Sequence, residues 1–324
     1  MGENLGRPSV AALHDFPQTM KPPPAWLSPE KPYLIGISGG RDSVFLYHWL
    51  VAHQFDNLTC CHLNHSLRGG ESDCDEEFLR NLIGPSLLVR KINVAARAEE
   101  NSLSLETAAR QARHEFFADC ARQTGINHVL LAHHADDQAE TILFNLLRGS
   151  AGLKGMKSHH TINGVTSLRP LLDVRRSEID QFLTTHQIPF REDQSNASPF
   201  ATRNRLRHEA LPLLADIIKH DPVPSLCRAE KLNRDLNEIS RETLNSLNLL
   251  DPQNRIHIPS FRPLNPALQR QALHRYLLEH GIPELTFDLI EKARLLTQPD
   301  AVPSLNLPGG KRLRRKEARL FITP

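Results

Sequence analysis

The sequence has no long apolar run, no signal segment and almost no net charge, and each of these absences excludes a class of protein. No stretch of about 18 apolar residues is present, so no membrane span is expected. The N-terminal segment "MGENLGRPSVAALHDFPQTMKPPPAW" carries charges and prolines throughout and lacks the apolar region of a secretory signal. The formal net charge is +2, from 39 basic and 37 acidic side chains, so nucleic-acid binding can be argued only from local clusters.

The cysteines argue against a disulfide framework. They are odd in number and form no CxxC pair: Cys60, Cys61, Cys74, Cys120 and Cys227. This usage is typical of a reduced protein with incidental thiols, so we expect a cytoplasmic location, although a plastid location stays open. No internal repeat and no low-complexity segment is found. The 324 residues are long enough for a well-packed core and two domains.

Short apolar runs alternate with amphipathic stretches over the first two hundred residues. The runs 33–37, 58–63, 86–92 and 128–133 resemble buried strands, and the stretches 43–53, 73–82, 104–124 and 136–148 resemble helices. This alternation predicts an α/β fold, in which a parallel sheet carries helices on both faces. Ligands of such folds bind at the carboxyl ends of the strands.

The second part of the chain is predicted to be a smaller, mainly helical domain. The first domain ends with a strand, a helix at 175–186 and a long helix at 203–219. The prolines of "HDPVPS" (220–225) then mark the boundary. Helices are then predicted at 225–247, 266–280 and 286–297, followed by two short strands joined around Gly309 and Gly310. The predicted domains are a flexible arm (1–30), a catalytic domain (31–219) and a helical domain ending in a basic strand pair (225–324).

The motif "SGGRDS" follows the first predicted strand and opens the first predicted helix. Its residues are Ser38, Gly39, Gly40, Arg41, Asp42 and Ser43. Backbone amides of such a turn, with the two serine hydroxyls, form a site for a phosphate or pyrophosphate anion. Asp42 would repel phosphate unless Mg²⁺ bridges it to a nucleotide. The alternative is a turn whose glycines serve only its geometry, and no Walker A sequence is present.

The motif "HHADDQAE" follows the fourth predicted strand, so we expect it to lie beside "SGGRDS". Asp136, Asp137 and Glu140 present three carboxylates near one helix start, and His133 and His134 immediately precede them. Such a group can hold Mg²⁺ or attract an ammonium ion. Two alternatives stay open: a zinc site, although no third ligand stands at a recognisable spacing, and a solvated, capped helix start.

Arginines form the remaining candidate contacts. Arg110 and Arg113 share one helix face, where surface salt bridges are the usual outcome. Arg203 and Arg207 stand one helical turn apart, with Arg205 diverging, and could face phosphate or solvent. The densest basic run, "KRLRRKEAR", contains Lys311, Arg312, Arg314 and Arg315 and either binds nucleic-acid phosphates or is a solvated surface.

The motif "SGGRDS" resembles the PP-loop of the ATP pyrophosphatases. "HLNHSLRGGESDCDEEF", "ETAARQARHEFF", "LAHHADDQAETILFNLLRGS", "LRPLLDVRRSEI" and "REDQSNASPFATRNRLRHEALPLL" follow it in an order that resembles the tRNA(Ile)-lysidine synthetase family. The resemblance is dense over residues 32–219 and weaker afterwards. It implies that ATP adenylates the C2 oxygen of cytidine 34 in the CAU anticodon of tRNA(Ile). The ε-amine of L-lysine then displaces AMP.

The resemblance also implies roles for individual residues. Asp42 and Asp137 would be essential and would hold Mg²⁺, and His133 would lie near the reacting phosphate. Arg113, Asp136, Glu140, Arg203, Arg205 and Arg207 would contact substrate or phosphate, and the basic run would contact tRNA. Longer family members carry a further C-terminal domain that we do not expect here, and a homodimer stays open. The alternatives are a PP-loop tRNA thiolase and a non-catalytic tRNA-binding homologue.

Overall fold

The computed structural model describes residues 20–66, 70–150, 152–191 and 202–324, with the backbone alone for 70–72. The first 19 positions of the predicted arm, and parts of the segments 62–78 and 191–214, lie outside these residues. The chain divides into two units, Met1–Arg228 and Ala229–Pro324. The division comes a few residues after the predicted boundary at 220–225, and the domain limits remain a prediction. No helix within the described ranges is long and apolar enough to cross a membrane.

The strands of the first unit form one sheet around the strand that precedes "SGGRDS". Their bounds are β1 Tyr33–Gly36, β2 Leu58–Asn64, β3 Leu87–Lys91, β4 His128–Leu130, β5 His159–Ile162 and β6 Val165–Leu168. The strand order is β3-β2-β1-β4-β6-β5, and every pairing except that of β5 with β6 is parallel. The predicted parallel sheet is confirmed.

Helices cover both faces of this sheet. Their bounds are α1 Arg41–Ala52, α2 Gly70–Ile83, α3 Val94–Glu100, α4 Leu105–Thr124, α5 Ala135–Leu147, α6 Arg176–Thr185, α7 Thr202–Arg205 and α8 Leu211–Ile218. Ile35 and Leu130 pack with apolar residues of α1, α2 and α6, whereas Leu34 and Val129 pack against α4. Because successive strand residues point to opposite faces, both sets are buried at once. This is why the strands are apolar runs without alternation.

The antiparallel strand β5 was not predicted. Its sequence "HHTI" is mostly exposed and carries no apolar signal. It is joined to β6 by a two-residue turn in which Asn163 has φ +51° and Gly164 has φ +78°. Two successive residues with positive φ suit an Asn-Gly hairpin, so the dipeptide "NG" was the available signal.

The predicted helix at 203–219 is interrupted. Residues Leu206–Ala210 form a π-helical segment between α7 and α8. A π segment changes the angular spacing of side chains along a helix and often occurs at functional sites. Arg207 lies within it.

The second unit contains helices and a small antiparallel sheet. The remaining elements are α9 Val223–Asn245, within which the division falls, β7 Ile256–His257, α10 Ile258–Phe261, α11 Pro266–Glu279, α12 Phe287–Leu295, β8 Ser304–Asn306, β9 Arg312–Lys316 and β10 Arg319–Thr323. The sheet order is β7-β10-β9-β8. Phe261, Leu273, Leu277, Leu313 and Leu320 are buried in its core.

The tail differs from the predicted pair of strands. The two strands expected around Gly309 and Gly310 are β8 and β9, but β7 and β10 extend them to four strands. The turn between β9 and β10 is made by Glu317 at φ +48° and Ala318 at φ +58°. Neither residue favours positive φ, so the sequence carried no turn signal there.

Candidate active site

The loop after β1 is held by its own serines. Ser38 N donates to Oγ of Ser43 at 3.1 Å, and the Ser43 hydroxyl donates to the carbonyl oxygen of Gly40 at 2.9 Å. Gly39 has φ +86°, a conformation that a side chain would strain. The chain thereby turns directly into α1. The first amides of a helix have no intrahelical acceptor and favour an anion, so the loop has the form of a phosphate site.

The loops after β1 and β4 meet at His134. Its Nε2 atom lies 3.7 Å from Oδ2 of Asp42 and 3.5 Å from Oδ2 of Asp137. The imidazole is almost fully buried, with 1% of its side chain exposed. The expectation that "SGGRDS" and "HHADDQ" are neighbours is confirmed. The residue that joins them was overlooked in the sequence, where His134 was noted only for preceding the carboxylates.

His134 also caps α5. Its Nδ1 atom accepts a hydrogen bond from the amide of Asp136 at 3.2 Å, and the Asp137 carboxylate accepts one from the amide of His134 at 3.1 Å. With Nδ1 as acceptor, a neutral imidazole carries its proton on Nε2, which faces Asp42 and Asp137. Burial acts to lower the pKa of His134, but the carboxylates of Asp136, Asp137 and Asp42 around the ring raise it overall.

His133 is electrostatically different from its neighbour. Burial lowers its pKa to about 4, against the attraction of Asp137 and with the help of the positive charges of Arg169 and Arg113. Its Nδ1 atom is buried and has no hydrogen-bond partner among the described residues. His133 is therefore neutral near pH 7, with one ring nitrogen left for a ligand.

Arg207 brings the π segment to the carboxylates of α5. Its Nη2 atom donates to Asp137 Oδ1 at 2.7 Å and to Glu140 Oε2 at 3.2 Å. Burial raises the pKa of Glu140, and the hydrogen bond with Arg207 opposes this. Arg203 and Arg205 do not join this pairing: Arg203 stacks over the ring of Phe144 at 5.6 Å, and Arg205 pairs with Glu209 at 2.8 Å.

Asp136 joins α5 to the start of α6. It accepts hydrogen bonds from Nη2 of Arg175 at 2.8 Å and from the amide of Arg176 at 2.8 Å. Burial acts to raise the pKa of Asp136, but the His134 ring, 3.6 Å away, and the hydrogen bonds from Arg175 hold it well below its usual range. The carboxylate is already engaged by Arg175 and Arg176, and a contact of Asp136 with substrate remains a prediction.

The comparison with known proteins agrees with this geometry. Residues 11–214 match the family model of a PP-loop domain, and residues 257–321 match that of a TilS substrate binding domain. A tRNA(Ile)-lysidine synthase of Chlorobaculum tepidum is 33% identical over 263 residues, which cover 77% of this chain and 78% of that protein. The chain belongs to the tRNA(Ile)-lysidine synthase family.

Two further members of the tRNA(Ile)-lysidine synthase family differ from this chain in length. The Thermus thermophilus protein is 34% identical over 307 residues, or 92% of this chain, and the Geobacter sulfurreducens protein is 44% identical over 187 residues, or 56% of it. The matches span 58% and 40% of those proteins. Among solved structures, a U34-tRNA thiolase from Methanococcus maripaludis with its [4Fe-4S] cluster has TM-score 0.50 and 16% identity, covering 62% of this chain and 71% of that one. That likeness shows the fold alone.

A divalent cation would fit this family's loop at Asp42. The Oδ1 atom of Asp42 is buried and has no hydrogen-bond partner within the described part of the chain. Burial raises the pKa of Asp42. The attraction of His134 is the largest effect in the opposite direction and does not offset it, so the carboxylate lacks a full counter-charge. No group of three His, Cys, Asp or Glu residues that could hold a metal is found in the described ranges. Asp42 would therefore need oxygen ligands from a phosphate, as Mg²⁺ commonly has.

The basic run of the second unit is partly engaged in structure. Arg315 donates to the carbonyl oxygens of Pro299 at 3.1 Å and Ala301 at 2.8 Å, and Lys311 donates to that of His280 at 2.7 Å. Arg312 and Arg314 are exposed on β9. Of the four predicted tRNA contacts, only Arg312 and Arg314 have no side-chain hydrogen bond or salt bridge among the described residues.

Proposed function

We propose that this chain ligates free L-lysine to C2 of cytidine 34 in the CAU anticodon of tRNA(Ile), at the expense of ATP. The C2 oxygen attacks the α-phosphorus of ATP, and pyrophosphate leaves. The ε-amine then forms a bond to C2 and loses a proton, while the C2–O bond breaks and AMP leaves with that oxygen. Family membership supports the reaction, and the meeting of Asp42 and Asp137 at His134 carries its assignment to these residues.

The loop 38–43 binds the nucleotide in this proposal. Its amides and the hydroxyls of Ser38 and Ser43 hold the pyrophosphate, because they lie at the start of α1. Neutral His133 donates a hydrogen bond to an oxygen on the reacting phosphorus. A neutral donor adds no charge beside the phosphate. The low pKa of His133, caused mainly by burial, keeps the ring neutral near pH 7.

The carboxylates of α5 receive the lysine. Glu140 and Arg207 line an open cavity of about 390 Å³ together with Arg175 and Arg176. Asp137 lies beside Arg207. An incoming ammonium would compete with the Arg207 guanidinium for these oxygens. The lysine α-carboxylate would find the arginines of the cavity wall, and guanidinium groups suit carboxylates well.

Mg²⁺ supplies charge neutralisation for the phosphates when bound, and Asp42 is the residue that would hold it. The buried, unpartnered Oδ1 of Asp42 supports this assignment. Asp137 is a weaker candidate ligand, because Arg207 already occupies one of its oxygens at 2.7 Å.

The decisive experiment measures lysine transfer directly. The chain is incubated with ATP, Mg²⁺, radiolabelled lysine and a tRNA(Ile) transcript with a CAU anticodon, and label in RNA is counted. A transcript with uridine at position 34 is the matched control. We expect label only in the CAU transcript and only with ATP. Absence of label, with ATP and RNA both bound, would overturn the proposal.

Two other functions would give different results in this assay. A tRNA thiolase would transfer sulfur and incorporate no lysine, and a non-catalytic tRNA-binding protein would support no ATP–pyrophosphate exchange in the presence of tRNA. The chain offers little to a thiolase: Cys60, Cys61 and Cys120 are buried and free, and burial raises the pKa of Cys60 to about 12.

A further inference from the structure

Five basic side chains lie together beside His133, and we call them the arginine–histidine cluster. They come from three elements: Arg110, Arg113 and His114 from α4, His160 from β5, and Arg169 from the residue after β6. The positive charges of the other four all bear on His114, whose pKa is lowered first by burial and then by them. Val165 of β6 packs in one buried cluster with Phe116 and Phe117 of α4, and β5 pairs with β6. The three elements that carry the cluster therefore adjoin one another, although its members are far apart in sequence.

The arginines of the cluster lack counter-charges. No carboxylate oxygen among the described residues lies within 4.0 Å of a charged nitrogen of Arg110, Arg113 or Arg169, and Glu106 is the one acidic group whose charge bears on Arg113. The surface salt bridge expected for Arg110 and Arg113 is therefore not formed. The opposite face of the same helix is fully paired: Glu115 with Arg97, and Asp119 with Arg90 and Arg122.

Buried nitrogen atoms point to a missing partner at the same place. Nε of Arg169 and Nδ1 of His133 are both buried and without a hydrogen-bond partner in the described part of the chain. Arg169 is otherwise held rigidly, since its Nη1 atom donates to the carbonyl oxygen of Lys157 at 2.9 Å. Burying such groups without a partner is costly, so an external acceptor of hydrogen bonds is expected.

The position of the cluster favours a large anion over the nucleotide alone. The phosphate loop follows β1, whereas Arg169 follows β6, two strands away in the sheet. Neighbouring strands lie about 4.8 Å apart, so the ends of β1 and β6 are roughly 10 Å apart, and His160 lies one strand further. Since the phosphates of ATP are held at the loop 38–43 in the proposed function, a partner that reaches the whole cluster must carry phosphates beyond those of the nucleotide.

We propose that the arginine–histidine cluster binds the phosphate backbone of the RNA substrate next to the reacting nucleotide. This inference rests on the proposed function, because it takes the RNA to be the molecule that is modified beside His133. Backbone contacts of this kind add affinity and fix register without reading sequence.

The test compares two arginines of α4. Arg110→Gln removes a cluster charge from an exposed side chain, and Arg122→Gln removes one from the paired opposite face. Binding of the tRNA(Ile) transcript is measured at several salt concentrations, together with the KM for ATP. We expect Arg110→Gln to weaken RNA binding several-fold and to reduce the salt slope by about 0.7 to 0.9, with an unchanged KM for ATP. Arg122→Gln and Arg110→Lys should behave like the wild type.

Each contrary outcome has a distinct meaning. An Arg110→Gln protein with the wild-type salt slope would refute RNA binding by the cluster, while the proposal of lysine ligation would stand. A raised KM for ATP with unchanged RNA binding would identify the nucleotide as the anion and would also overturn it. If the wild type binds RNA through Arg110 but ligates no lysine, the proposed function fails and the RNA surface stands.

Discussion

Asp137 accepts a hydrogen bond from Nη2 of Arg207 at 2.7 Å, although the two residues are separated by 70 positions in the chain. The same guanidinium also holds Glu140, whose side chain is only 6% exposed. One cation therefore balances two acidic groups at the start of α5. Removing it would leave the Glu140 carboxylate without its described partner and Asp137 with only the amide of His134, which costs on the order of 1–3 kcal/mol of unfolding free energy.

Arg207→Gln should therefore make lysine ligation more sensitive to pH. Burial already raises the pKa of Glu140, and loss of the Arg207 charge, which opposes this, would raise it further. Since a protonated Glu140 cannot attract an ammonium ion, kcat/KM for lysine should fall more steeply in the variant than in the wild type between pH 8 and pH 6. Arg205→Gln, which breaks only the surface pair with Glu209, is the control. Parallel pH profiles would contradict this role of Arg207.

Asp42→Asn should preserve the fold and nearly abolish turnover. Asparagine fits the same space in the first turn of α1 but is a far weaker ligand for Mg²⁺ than a carboxylate. The measurements are circular dichroism and ATP–pyrophosphate exchange over a range of Mg²⁺ concentrations. Asp56→Asn, at an exposed position, is the control. A folded Asp42→Asn protein with near-normal exchange would exclude the cation role.

The strands and loops that position this site could be predicted from the sequence better than the contacts between its side chains. The strands before "SGGRDS" and "HHADDQ" were recognisable because residues such as Leu34 and Ile35 are both buried, on opposite faces. Parallel pairing of β1 with β4 then brings their following loops together. That inference needs only the periodicity of apolar residues and the rule for carboxyl ends of strands.

The contacts depended on features that local sequence does not carry. Arg207 reaches Asp137 from a π segment, and no periodicity rule predicts that interruption. His134 caps α5 with its ring nitrogen, whereas Ser, Thr, Asn and Asp are the usual capping residues. The pairing of Asp136 with Arg175 joins two helices that are distant in sequence, so the three carboxylates predicted as one group have different surroundings.

Protonation of His48 should destabilise the protein in acid. Burial, with the charge of His186, lowers the pKa of His48 from its usual 6.5 to about 4. The unfolded chain therefore binds the proton more readily. Stability from neutral His48 is complete above pH 6.5 and is lost as the pH falls toward 4, by about 3 kcal/mol in total.

His48→Leu should consequently show a shallower loss of unfolding free energy between pH 6.5 and pH 4 than the wild type. Urea unfolding followed by circular dichroism at several pH values measures this. A residual slope is expected, because the pKa of His133 is also lowered to about 4 by burial. His220→Gln changes an exposed histidine and should leave the wild-type slope. Equal slopes for His48→Leu and wild type would refute the assignment.

Replacement of the cysteines should leave lysine ligation intact in the fraction that folds. Cys74 is exposed and lies on α2, and the buried thiols of Cys60, Cys61 and Cys120 pack in the core. A five-fold variant, with alanine at the buried positions and serine at Cys74 and Cys227, is compared with Cys74→Ser alone. Activity is normalised to the ATP-binding fraction. Complete loss of lysine ligation in a folded, ATP-binding five-fold variant would contradict this prediction and would assign a cysteine to the reaction.

The exposed arginines of β9 should contribute to tRNA binding, whereas Arg315 should contribute to stability. Arg312 and Arg314 are two positions apart on one strand, so their side chains leave the same face of the sheet. The guanidinium of Arg315 instead satisfies backbone carbonyls, including that of Ala301 at 2.8 Å. The residues of the basic run therefore have two different roles, and substitutions at Arg312 and Arg314 can be compared with one at Arg315 to separate them.

We expect Arg312→Gln/Arg314→Gln to weaken binding of all tRNAs about equally and to reduce the salt slope by about 1.4 to 1.8, the value for two phosphate contacts. Its thermal stability and its KM for ATP should be unchanged, because neither side chain has a described partner. Arg315→Gln should lower the unfolding temperature and leave the salt slope nearly unchanged. Binding is measured at several salt concentrations beside thermal unfolding. If the double variant keeps the wild-type salt slope, β9 presents only a solvated surface, and RNA binding depends on other residues.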